Sequence, residues 1–181
     1  MEAVLLNSGG IDTLASIVAM KEADSELVLH SLTVWIGQKN FGPAHRAAQE
    51  IAGKHCVTTD LMLLGDFAFK ENGAFKIPYR MVLFHMAAAI KARHYGVEYI
   101  ISGIDDGFSE NFGRKVTDML TEESRAPYAP VVICPVRKLS RGERIFLAKK
   151  DPLFPITVSC EEAEPCCVCQ KCLDRRAAGI A

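Results

Sequence analysis

Short apolar runs alternate with stretches of helical spacing along this 181-residue chain, and that alternation restricts the fold more than any other feature. Ala3 to Leu6 is an apolar run that ends in the turn Asn7-Ser8-Gly9-Gly10. Helical spacing follows at Leu14, Ile17 and Val18. Further strand-like runs are Leu27 to Trp35, Cys56 to Leu64, Val97 to Ser102 and Val131 to Cys134. Between them the sequence predicts a helix over Ala44 to Ala52, opened by Pro43. A longer helix runs from Pro78 to about His94 and stops at Gly96, and another covers Lys115 to Glu123. Ser140 and Glu143 have the spacing of a capping box for a last helix to about Lys150. Strands alternating with helices predict an α/β fold, a parallel sheet with helices on both faces.

Hydrophobic residues make up 49% of the chain and charged residues 24%, which excludes disorder as the main state and suits one globular domain. Lys plus Arg is 21 against 22 for Asp plus Glu. A net charge of −1 predicts no sequence-independent grip on nucleic acid or an anionic membrane. No apolar run approaches the ~18 residues of a membrane span. The N-terminus is short and acidic, unlike a signal peptide, so a cytoplasmic location is expected.

The first glycine turn lies at the carboxyl end of a strand, where open parallel sheets bind ligands. Glycines let successive backbone N–H groups converge on an anion, and the helix behind adds its positive end. Ser8 and Thr13 add hydroxyl donors. Asp12 suits loop orientation or Mg²⁺ binding rather than phosphate contact. The segment lacks the lysine of GxxxxGK[ST] and is not GxGxxG either. A plain strand–helix turn would use the same glycines.

Five of the seven cysteines crowd into the end of the chain as Cys160, Cys166, Cys167, Cys169 and Cys172. Clustered cytosolic cysteines read first as a metal site, since structural disulfides are rare there. Two overlapping CxxC steps plus Cys160 supply four thiolates, the tetrahedral set that zinc takes. Four protein ligands leave no open position, so the metal should be structural. Cys167 is spare, and Cys56 and Cys134 read as small buried hydrophobes. Disulfides, an iron–sulfur cluster and redox catalysis are the rival readings. Residues 1–154 form the main domain on this view, and 155–181 a zinc-binding tail packed on it.

Ser8-Gly9-Gly10-Ile11-Asp12-Thr13 after a first strand resembles the pyrophosphatase loop of the N-type ATP pyrophosphatases. With the cysteine tail it resembles the 7-cyano-7-deazaguanine synthases along nearly the whole chain. Ile77-Pro78-Tyr79-Arg80, Gly103 to Ser109, Pro135 to Glu143 and Val158-Ser159-Cys160 are similar to further segments of that family. The resemblance implies a Rossmann-like fold of the adenine nucleotide alpha hydrolase type. It implies ATP and Mg²⁺ as cofactors beside Zn²⁺, with nucleotide contacts from Leu6, Ser8, Gly9, Gly10, Ile11, Asp12, Thr13, Thr33 and Gly103. Asp12, Arg80 and Arg141 would carry catalysis, and Gln38, Arg80, Asp105, Asp106 and Ser109 would meet substrate. The implied reaction adenylates a deazaguanine carboxylate; ammonia displaces AMP to give an amide, and a second ATP takes the amide to the nitrile. A homodimer is implied too, with a protein partner or acceptor as another option.

Departures concentrate on substrate segments. Ile36 to Pro43 keeps only part of the family's Tyr-Gly-Gln-x-His-x-x-Glu, although His45 lies close by. Met81 follows Arg80 where the family has Asn, Arg141 stands for a Lys, and Val158 for a Trp. The pattern suggests the same activation chemistry with a different or larger acceptor. A tRNA-modifying sulfur transferase of the same loop superfamily is the second class considered. A catalytically inactive nucleotide-binding partner is the third.

Overall fold

The computed structural model describes residues 1–65, 69–71, 74–76, 80–103, 115, 118, 119, 121, 122, 130–158, 160, 162 and 166–179. Asp105, Asp106 and Ser109 lie outside these residues, as do residues 77–79 and Ser159.

Strand β1 (Glu2–Leu6) is buried on both faces, so its sequence is an uninterrupted apolar run. It pairs in parallel with β2 (Val28–Trp35), which pairs with β3 (Thr58–Leu63). A hairpin of β4 (Phe69–Glu71) and β5 (Ala74–Lys76) forms its own two-stranded sheet. The chain then returns to the other side of β1 with β6 (Tyr99–Ser102) and β7 (Val131–Ile133). The resulting five-stranded order is β3-β2-β1-β6-β7, all parallel. The direction of winding reverses at β1, and in open parallel sheets such a reversal places a crevice at the carboxyl ends of the strands.

Alternation along β1 divides the core in two. Ala3 and Leu5 pack with Ile11, Leu14 and Ile17 of α1 (Ile11–Ala23), Ile51 of α2 (Phe41–His55) and Ala148 of α4 (Arg141–Ala148). Val4 and Leu6 pack on the opposite face with Ala87, Ala88 and Ala92 of α3 (Arg80–Tyr95). Helices therefore cover both faces, as the strand–helix alternation predicts. Helix α2 starts two residues before Pro43, which sits in its first turn, where a missing N–H breaks no intrahelical bond. The Ser140–Glu143 capping box is present in both halves. The hairpin and a helix α5 (Gln170–Ala177) inside the cysteine tail go beyond the sequence reading. Among the described residues, no helix is long and apolar enough to cross a membrane.

A charged cluster ties α1 and α2 to the turn after α4. Asp151 lies 2.8 Å from Lys54 Nζ and 2.9 Å from His55 Nε2, and Lys21 Nζ lies 3.3 Å from His55 Nδ1. Burial lowers the His55 pKa below its ordinary 6.5, with the Asp151 charge opposing it. The unfolded chain therefore binds a proton that the folded chain resists, so stability should fall as pH drops through 6.5 toward the depressed folded value. Melting temperature measured from pH 7.5 to 5.5 should show this slope. His55→Gln should flatten it, and an unchanged slope would count against the assignment.

Candidate functional site

The turn after β1 is built around Asn7, which is buried. Its side-chain nitrogen donates to Ser31 Oγ at 3.0 Å and Ala48 O at 2.9 Å, while its oxygen accepts from Gly9 N at 3.0 Å. Thr33 Oγ1 donates to Asn7 O at 3.1 Å. Gly9 has φ 69°, and a Cβ there would stand 2.3 Å from the Ala44 carbonyl oxygen. Gly103, at the end of β6, lies so close to α1 that a Cβ would meet Asp12 C and O at 2.7 Å. Helix α1 begins behind Gly10, which offers no side-chain cap, so its first-turn N–H groups keep their capacity for an anion. Ser8 Oγ and Thr13 Oγ1 face each other at 3.0 Å.

A cavity of about 530 Å³ opens over this turn. Leu6, Ser8, Asp12, Thr13, Thr33 and Gly103 line it, together with Gln38, Arg80 and Arg141, so expected nucleotide, substrate and catalytic positions share one space. Gly9, Gly10 and Ile11 stand in the turn and first helical residue beside it without lining it. Gln38 is already engaged at both ends of its amide: Oε1 accepts from Ile36 N at 2.7 Å and Nε2 donates to Val34 O at 2.9 Å. It shapes the loop after β2 as well as bordering the cavity. Apolar lining comes from Leu32, Val34, Phe41, Met81 and Phe84. Met81 and Phe84 thus border the cavity, while His85 and Ala88 of the same helix are fully buried. Phe41 stacks on His45, ring centroids 5.2 Å apart.

Asp12 is gripped by two arginines of α4. Arg141 Nη1 lies 3.2 Å from both carboxylate oxygens, and Arg144 Nη1 lies 3.2 Å from Oδ1. Arg141 Nη2 is buried and makes no hydrogen bond among the described residues. A planar guanidinium at a cavity wall suits a phosphate oxygen. Arg144 was legible in the sequence only as a charged helix residue, and Asn7 only as part of a turn signal.

The four expected metal ligands come together. The sulfurs of Cys160, Cys166, Cys169 and Cys172 lie within 4.8 Å of one another and could hold a metal ion. Backbone N–H groups run to the sulfurs in sequence: Cys166 N to Cys160, Cys169 N to Cys166 and Cys172 N to Cys169, each at 3.4 Å. N–H groups of Val168 and Cys169 pull the Cys166 thiol down to about 6. Cys172 is pushed up to about 12, first by burial, with hydrogen bonds among the neighbouring thiols adding to it. A dication relieves such crowding by taking all four as thiolates, which suits the donor set to zinc. Cys167 is exposed in a left-handed turn with φ 61° and stands outside the set. Gln170, Lys171 and Asp174 of the following helix reach the cavity, so the metal loop and the glycine turn border the same space.

The fold is an α/β, Rossmann-like arrangement with a parallel five-stranded sheet. The chain is similar to a 4-thiouridine synthetase solved as an RNA complex with bound ATP, at 18% identity and a TM-score of 0.52. That similarity covers 92% of this chain and 44% of the synthetase chain, so the present chain spans less than half of it. It is also similar to a predicted subunit of tRNA methyltransferase from Methanocaldococcus jannaschii, at 14% identity and a TM-score of 0.46, covering 82% of this chain and 74% of that one. No family model matches the chain. No curated protein matches it either.

Proposed function

We propose that this chain uses ATP to adenylate an oxygen of a nucleobase-type acceptor and then lets a nucleophile displace AMP. The observation that carries the reading is the cavity at the switch point, where the Ser8–Thr13 turn, Gly103 and the arginines of α4 converge. The triphosphate would lie on the polar wall, against Ser8, Thr13 and the uncapped start of α1, with Arg141 and Arg144 on developing negative charge. Adenine would lie near Leu6, Thr33 and Gly103, and the acceptor toward Arg80 and the Phe41–Phe84 wall. An acceptor oxygen attacks the α-phosphorus and pyrophosphate leaves; the incoming nucleophile then attacks the activated carbon and AMP leaves with the bonding pair. Mg²⁺, held by Asp12, would neutralise charge on the leaving pyrophosphate. Zinc on the four cysteines would hold the 155–181 tail against the domain.

Two acceptors suit this chemistry. A base within RNA is favoured by the likeness to a synthetase that binds RNA and ATP, and it weakens the expectation, drawn from net charge, that no nucleic acid is taken. A free deazaguanine carboxylate is favoured by the segment resemblance. Sulfur transfer would need a reactive thiol, and burial pushes Cys56 and Cys134 up to about 11, where they stay protonated at neutral pH. Cys167, exposed and outside the metal set, would be the thiol for sulfur transfer, so the likeness to a 4-thiouridine synthetase favours a sulfur nucleophile with an RNA acceptor, and the segment resemblance favours nitrogen with the free carboxylate.

The test is pyrophosphate and AMP release from ATP and Mg²⁺ with ammonia and either tRNA or 7-carboxy-7-deazaguanine. Release dependent on one acceptor, with the product identified by mass spectrometry, would establish both activity and class. No release above background with either would end the adenylation reading. Metal analysis of protein purified without chelator should return one zinc per chain, and Cys169→Ser should lose it. Iron in place of zinc would overturn the structural-metal assignment.

A further inference from the structure

The metal loop does not merely sit beside the nucleotide turn; three separate ties join it to the cavity. The first is backbone. Val158 N donates to Gly9 O at 2.8 Å, two residues before the first metal ligand. Arg175 of α5 braces this segment, donating to Thr157 O, to Thr157 Oγ1 at 2.9 Å and to Pro155 O at 3.2 Å. The second is a chain of side chains. Helix α5 is capped by the ligand Cys169, whose sulfur accepts from Cys172 N. Gln170 Nε2 donates to Asp174 Oδ1 at 2.8 Å, Arg141 Nε lies 3.4 Å from Asp174 Oδ2, and Arg141 Nη1 reaches Asp12. Asn40 adds a third tie, donating to Cys160 O at 2.7 Å from the loop that borders the cavity.

We propose that the metal site and the nucleotide site are thermodynamically coupled, and that Asp174 is the positioning residue that transmits the coupling through Arg141 to Asp12. The inference rests on the reading of the cavity as a nucleotide site and names how that site is regulated. The physical reason is ordering. Helix α5 is eight residues long, below the length at which a helix holds itself in water. Its start is fixed by Cys169 and Cys172, so metal binding sets where Asp174 stands. Asp174 in turn fixes the plane of the Arg141 guanidinium, which lines the cavity and holds Asp12. Metal binding prepays the ordering that nucleotide binding would otherwise have to supply. Linkage then requires the reverse effect: bound nucleotide must tighten the metal by the same factor, expected at about 5- to 150-fold.

The experiment uses the full zinc-loaded chain. Zinc release to a colorimetric chelator is timed with and without Mg²⁺ and α,β-methylene-ATP, and analogue affinity is measured by calorimetry before and after stripping zinc. In the wild type the analogue should slow zinc release at least fivefold, and stripping should weaken analogue binding by a similar factor. Asp174→Ala should keep one zinc per chain but lose most of the protection, with Asp174→Glu recovering part of it. Analogue binding with no change in zinc release would overturn the coupling and leave the nucleotide reading standing. No analogue binding to the zinc-loaded wild type would overturn both. Asp174→Ala that keeps full protection, or that loses its zinc outright, would overturn the role given to Asp174.

Discussion

Gly9→Ala should unfold the glycine turn, lowering the melting temperature by about 10 °C and, under the proposed function, abolishing nucleotide binding. Two costs add at this position. The residue has φ 69°, and an L side chain in the left-handed region costs about 1–3 kcal/mol. The new Cβ would also stand 2.3 Å from the Ala44 carbonyl oxygen, which belongs to the backbone of α2 and cannot swing aside. Overpacking against a rigid neighbour costs a further 1–3 kcal/mol or so. A total of about 4 kcal/mol converts to roughly 10 °C for a chain of this size. Gly53→Ala is the matched control: it lies inside α2 with nothing within 4 Å of its Cβ, so it should stabilise slightly. Thermal melts of both variants decide the matter, and equal melting temperatures would mean the turn is not as tightly seated as described.

The second large effect is on turnover. Arg141→Ala should lower kcat/KM for ATP-dependent pyrophosphate release by about 10²–10³-fold, the usual cost of removing a donor aimed at developing charge. Arg141 joins Asp12 and Asp174 and keeps one buried donor unused, so alanine removes a charge and a strut together. Arg141→Lys should recover little, because an ammonium cannot span two carboxylates as a planar fork does. A loss of only a few fold would remove Arg141 from the reaction and leave it as a support for Asp12.

The strands were legible because fully buried parallel strands are continuous apolar runs, and the last helix before the tail because Ser140 and Glu143 mark its start. The need for glycine at position 9 was half legible. Gly-Gly signals a turn, but the reason for it is the Ala44 carbonyl, brought in by α2 from far along the chain. Gly103 was marked only by segment resemblance; the packing of β6 against α1 supplies the physical reason for it. Arg144 and Asp174 look in sequence like ordinary charged helix positions, because what distinguishes them is a partner on another element. Helix α5 was hidden for a related reason. Cys172 is its one buried residue, so it has no apolar stripe to read. The four cysteines were readable because metal ligation is written in short spacings.

The bond between Val158 and Gly9 also has a meaning in time. A chain made from its N-terminus exposes the glycine turn first, yet the partner of the Gly9 carbonyl, Val158, follows only after the whole sheet. Until Val158 and then α5 have emerged, Gly9 lacks its partner and Arg141 lacks Asp174. A nascent chain thus presents a finished sheet with an unfinished mouth, and under the proposed function the ability to take nucleotide would arrive with α5 rather than growing with the polypeptide.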